Sequence, residues 1–317
     1  MTTSFLLLIL GLVFLIKGAD WLVFGASALA RRFRIPDLVI GLTIVSFGTS
    51  APELVVNSFA AFQNHPDIVL GNIIGSNNFN LFLILGISGL ILPLSVQSTT
   101  VWKEIPFSLL AALVLLILAN DQWTGHAIDV ISRTDGIILL LFFALFWLYL
   151  FRQVKKERLS SPAEPETSSM SNWKMAAYIL GGLVILIIGG KVIVNSAVNI
   201  ARHYQISEQI ISLTIVAAGT SLPELATSVV AAIRKNNDIA VGNVIGSNIF
   251  NIFFILAISS LIRPIHFDVS FNRDILLLIG GTLFLFIAMF TGKVRKLDRW
   301  EAALLLIAFG VYFYFIT

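Results

Sequence analysis

Two glutamates, Glu53 and Glu224, sit inside long apolar stretches, each at the end of nearly the same string: GTSAPE at 48–53 and GTSLPE at 219–224. A carboxylate at membrane depth costs about 2.5 to 3.5 kcal/mol on insertion scales, so an intramembrane acid is read as functional by default. A buried Glu that only fixes helix packing is the plainer reading, but the company here is rich in oxygen. Ser46, Thr49 and Ser50 precede Glu53, and Thr214, Thr220 and Ser221 precede Glu224. Pro52 and Pro223 donate no N–H and clash with the carbonyl four residues back. The helices therefore break around Gly48–Thr49 and Gly219–Thr220, with Gly48 and Gly219 easing the distortion. Asn72, Ser76 and Asn80 recur at i, i+4 and i+8, as do Asn243, Ser247 and Asn251, so each trio lines one helix face. Alone, such a face serves equally as polar packing glue or as ligand; beside two Glu-bearing helices it reads as ligand. Carboxylates, hydroxyls, amides and freed carbonyls are hard oxygens, suited to Ca2+, which takes about six to eight of them, or to monovalent cations.

The two sets stand 171 positions apart, and the same offset relates Gly11 to Gly182, Gly18 to Gly189, Thr43 to Thr214 and Pro93 to Pro264. This is an internal repeat. Duplicated helices whose polar, Gly/Pro-interrupted parts coincide point to a transporter's binding site. Hydrophobic residues make up 57% of the chain and charged ones 12%, against roughly 25% charged in soluble domains, which excludes a soluble protein. At about 20 residues per span, the apolar runs predict helices near 4–30, 37–62, 67–91, 103–119, 135–151, 174–201, 207–233, 238–262, 272–291 and 299–316. The fold expected is an all-α membrane protein of ten transmembrane helices. A five-helix repeat over 1–151 and another over 174–317 are joined by a polar linker at 152–173. The first apolar run lacks a basic leader and is expected to be a span and not a cleaved signal.

Cysteine is absent, which excludes disulfides and thiolate metal sites. The net charge of +3 is topological: fifteen Lys and Arg fall in loops on the linker side and four on the other. The positive-inside rule then places the linker in the cytoplasm and both termini outside. Five helices per half turn the second copy upside down, giving repeats of inverted topology, which suit alternating access. An intramembrane hydrolase using Ser50 or Ser221 fails for want of an activating His, Lys or second carboxylate nearby in sequence. A channel is the stronger rival, because broken polar helices also line pores. Lys17, Asp20 and Lys191 read as snorkelling or structural pairs, and Trp102, Trp173 and Trp300 as interfacial anchors.

The paired GTS-x-PE and GN-x-x-GSN-x-x-N segments resemble those of the calcium/cation antiporter superfamily, and within it the prokaryotic sodium/calcium exchanger-like proteins. The resemblance spans both halves and implies a central cation site formed by helices two, three, seven and eight. By motif match, Glu53 and Glu224 would be the principal carboxylate ligands of Ca2+. Thr49 and Thr220 would offer backbone carbonyls, and hydroxyls when Na+ is bound. Ser46 and Ala217 would offer further carbonyls to Na+. Ser50, Ser76, Asn80, Ser221, Ser247 and Asn251 would supply the remaining Na+ or site-lining positions, and Asn72 and Asn243 helix-bridging amides. Glycine-rich helices one and six would slide to switch access. One departure matters: of the positions held by Asn80 and Asn251, one is commonly Asp in such exchangers. Two carboxylates match one Ca2+ but leave the number and identity of the counter-ions open. Ca2+/H+ exchange is the alternative, although that branch usually has an acidic residue where this chain has GSN. The reading is a cell inner-membrane antiporter, not an enzyme, that exports Ca2+ against Na+, with no cofactor and with no nucleic-acid or protein partner expected.

Overall fold

A computed structural model describes residues 2–124, 128–160, 170–205, 217–292 and 295–316. Ten helical segments follow one another: α1 (Thr2–Phe33), α2 (Asp37–Thr49 and Ala51–Phe62), α3 (Pro66–Ile91), α4 (Thr100–Ala119) and α5 (Arg133–Ser160) in the first half. The second half holds α6 (Asn172–His203), α7 (Ala217–Gly219 and Leu222–Ile233), α8 (Asn237–Ile262), α9 (Asn272–Ala288) and α10 (Arg299–Ile316). Thr214, the first half of the expected 207–233 helix and much of the 152–173 linker lie outside the described residues. Helix α5 runs on to Ser160, past the expected end at 151. The stretch RQVKKERL consists largely of good helix formers and continues the helix until the Ser-Ser-Pro at 160–162.

The centre of the bundle is α3 and α8. Their most apolar windows are 67% and 78% buried, against 33% for α1 and 17% for α5, which face lipid. The two lipid-facing helices α1 and α6 pack on each other through glycines. A Cβ on Gly18 would stand 2.8 Å from the carbonyl oxygen of Gly182, and one on Gly182 would stand 2.6 Å from the nitrogen of Leu22. Only glycine permits backbones to approach this closely, the small-residue packing typical of membrane helices. Helix α2 packs likewise on α8, where a Cβ on Gly246 would lie 2.9 Å from the Cα of Leu42.

Two short antiparallel ladders tie the loops. β1 (Leu94–Ser95) pairs with β4 (Lys296–Leu297), and β2 (Val130–Ile131) with β3 (Ile265–His266). With ten alternating spans, β1 and β4 both fall on the linker side and β2 and β3 on the other, as inverted halves require. Asp20 of α1 forms an ion pair with Arg234 at the end of α7. Trp102, Trp173 and Trp300 are exposed next to helix ends.

Candidate ion-binding site

Glu53 and Glu224 occupy the first turn of the second halves of α2 and α7. The residues at the breaks, Ser50 and Ser221, have left helical geometry, with φ/ψ of −83°/6° and −88°/4°. The halves of α2 bend by 48°. Each break interrupts the helical hydrogen-bond ladder beside its glutamate, where backbone groups are left for other partners.

The two repeats exchange hydrogen bonds across this point. Ser50 Oγ donates to Glu224 Oε1 at 2.8 Å, and Ser221 Oγ donates to Glu53 Oε1 at 3.4 Å. Ser221 Oγ also lies 3.1 Å from Ser76 Oγ. Thr49, Ser50 and Ser247 face Glu224, and Thr220 and Ser221 face Glu53. Both glutamates are 1% exposed, and Ser46, Thr49, Ser50, Ser76, Asn80, Ser221, Ser247 and Asn251 are also buried. Ser46 turns its hydroxyl to its own helix, at 3.3 Å from the Thr43 carbonyl, while its carbonyl lies 3.2 Å from Thr49 Oγ1. Ala217 opens the described part of α7.

Asn243 accepts from Thr49 Oγ1 at 3.1 Å and donates to Ser228 Oγ at 2.9 Å and to the Glu224 carbonyl at 3.3 Å. In the other copy Asn72 donates to Thr220 Oγ1 at 3.2 Å and accepts from Asn57 Nδ2 at 2.7 Å, and that nitrogen also reaches the Glu53 carbonyl. Each amide thus joins helices of both repeats. Asn57 and Ser228 were missed in the sequence, although each stands one helical turn after its glutamate. Asn77 and Asn248 were missed too, although both copies carry Asn there within GSN.

The chemistry of the site is set by what these bonds leave over. Glu53 Oε2, Glu224 Oε2, Asn80 Oδ1 and Asn251 Oδ1 are buried and receive no protein hydrogen bond, and Asn57 Oδ1 and Ser247 Oγ are likewise without a partner. Buried acceptors are normally paired. These unpaired oxygens, two of them carboxylate, ask for a positive charge that the described residues do not provide. Hard oxygen donors of this kind fit Ca2+ or Na+.

Comparison with known proteins bears on the same residues. The family described as sodium/calcium exchanger protein matches residues 3–152 and 174–317, one match per half. The putative antiporter CaxA of Alkalimonas amylolytica is 36% identical, covering 99% of this chain and 98% of its own. The inner membrane protein YrbG of Escherichia coli (strain K12) is 39% identical over 84% of this chain and 83% of its own. A solved structure of the sodium-calcium exchanger NCX_Mj superposes with a TM-score of 0.83 at 33% identity, covering 98% of this chain and 97% of that one.

Proposed function

The chain belongs to the sodium/calcium exchanger family, a family of multi-pass membrane antiporters, and from that premise we propose that it exports Ca2+ in exchange for Na+ at the site between Glu53 and Glu224. The observation that carries this reading is the set of buried, unpaired oxygens contributed by both repeats, the Glu53 and Glu224 carboxylates and the Asn80 and Asn251 amides among them. In the proposed cycle the two carboxylates bind Ca2+, helped by Thr49 and Thr220 carbonyls. Na+ displaces Ca2+ by occupying the neutral oxygens of Ser46, Ala217, Ser50, Ser76, Asn80, Ser221, Ser247 and Asn251 together with those carboxylates. Asn72 and Asn243 hold the broken helices in register, and Gly48, Pro52, Gly219 and Pro223 keep them broken. The resemblance to an inner membrane protein supports placement in the cell inner membrane, with the linker inside and repeats 1–151 and 174–317 acting as the two halves.

The test is radiolabelled Ca2+ uptake into proteoliposomes under an outward Na+ gradient, an outward H+ gradient or none. Uptake driven by Na+ alone supports the reading. Uptake driven by H+ would replace Na+ as the counter-ion, and equal uptake without a gradient would mean a channel. Glu53→Gln and Glu224→Gln each strip one charge from a buried pair with its cation. Such breaks cost about 3 to 5 kcal/mol, so apparent Ca2+ affinity should fall by about two orders of magnitude or more.

A further inference from the structure

Asn77 and Asn248 lie where the repeats meet, outside the ligand set read from the sequence. Asn77 Nδ2 donates to the backbone carbonyl of Asn248 at 3.4 Å, and Asn248 Nδ2 donates to the carbonyl of Asn77 at 3.3 Å. A backbone carbonyl can only accept, so each amide must turn its nitrogen to the opposite helix and its Oδ1 the other way. Those two Oδ1 atoms receive the nitrogens of the site amides. Asn80 Nδ2 donates to Asn248 Oδ1, and Asn251 Nδ2 to Asn77 Oδ1, both at 3.0 Å. With one N–H of each nitrogen so engaged, the Oδ1 of Asn80 and of Asn251 turns the other way, and these are the oxygens found buried without a donor. The orientation of both site amides is therefore inherited, through one intermediate, from a backbone carbonyl that cannot reverse its polarity.

We propose that Asn77 and Asn248 are positioning residues that oblige Asn251 and Asn80 to offer oxygen, and not NH2, to the transported cation. A reversed amide would place partial positive charge against the ion. The inference rests on the exchanger reading above. It differs from simple gluing of α3 to α8 because the effect must pass through Asn80 and Asn251.

The experiment is a double-mutant cycle on the full chain in proteoliposomes, reading the Ca2+ concentration for half-maximal Na+-driven uptake separately from the maximal rate. Asn248→Leu should raise that concentration about tenfold, with a much smaller change in maximal rate. Asn80→Ala should raise it similarly. Asn248→Leu/Asn80→Ala should be no worse than Asn80→Ala alone, because coupled residues are non-additive. Multiplied effects in the double variant, or an unchanged half-saturation in Asn248→Leu, would overturn the proposal. If Asn248→Leu fails to assemble, the cycle of Asn77→Leu with Asn251→Ala reads the repeat-related arm by the same criteria. Wild-type protein without Na+-driven uptake would instead overturn the exchanger reading and this inference with it, an outcome distinct from working exchange with additive variants.

Discussion

The serine that holds each glutamate comes from the opposite repeat, yet the two bonds are unequal: 2.8 Å from Ser50 to Glu224 and 3.4 Å from Ser221 to Glu53. A hydrogen bond to a charged group contributes about 1.5 to 3 kcal/mol net and weakens steeply with length. Ser50→Ala should therefore weaken apparent Ca2+ affinity by about tenfold to a hundredfold, and Ser221→Ala by clearly less, read as half-saturation of Na+-driven uptake. Equal losses would mean that the serines act as direct ligands of equal weight and not through the carboxylates. The glutamates, serines and outer asparagines were legible because unlike residue types in an apolar stretch are visible one by one, and the repeat displayed them twice. Asn57, Ser228, Asn77 and Asn248 were not, because their role is to orient another side chain. Such a role depends on which amide end meets which atom across the bundle, a relation that spacing along one helix does not contain.

At the scale of elements, hydropathy and turn punctuation placed the described span ends to within a few residues except the end of α5, which runs on from 151 to Ser160, since twenty apolar residues in lipid have little choice but helix. What they could not place were the wider turns at Gly41–Val45, Phe79–Ile84, Thr100–Glu104 and Asn251–Leu256. Those π-helical segments add one residue per turn without changing composition, and such bulges collect at functional sites; two of them begin at or beside Asn80 and Asn251. That the glycines of α1 and α6 form a sliding pair is suggested by the resemblance alone, but their contact is steric and can be tested. A Cβ on Gly18 would meet the Leu186 nitrogen at 2.7 Å, whereas nothing described lies within 4 Å of one on Gly280. Gly18→Ala must push two backbones apart, at about 1 to 3 kcal/mol, and should lower both the melting temperature in detergent and the maximal exchange rate. Gly280→Ala should lower neither, and a loss there as large as at Gly18 would mean that the close contact in the structure does not govern these sites, since helix propensity alone favours Ala over Gly.

For the whole molecule, the inverted repeats make the two membrane faces alike in sequence but not in packing. Helix α1 lies along Leu222–Ile233 of α7 and is tied to its end by Asp20 and Arg234, whereas α6 approaches the repeat-related Ala51–Phe62 of α2 only sparsely. Among the described residues the linker-side half of α7 is thus better walled than the opposite half of α2, so the orientation of the chain decides which compartment the better-walled face meets. The excess of Lys and Arg on the linker side argues for a cytoplasmic linker, and the lack of cysteine makes the argument easy to check. Ser98 lies beside β1 on the linker side, Ser270 follows β3 on the opposite side, and both are exposed. In right-side-out vesicles a membrane-impermeant thiol reagent should label Ser270→Cys and spare Ser98→Cys until the membrane is opened. The reverse pattern would turn the protein over and make the better-walled face the outer one, and labelling of both in intact vesicles would mean that the charge bias does not fix a single orientation. With Ser270→Cys alone labelled, the better-walled face is the cytoplasmic one and the less covered face above the buried Glu53–Glu224 pair is the outer one, the side on which Na+ must enter and Ca2+ must leave if the chain exports Ca2+.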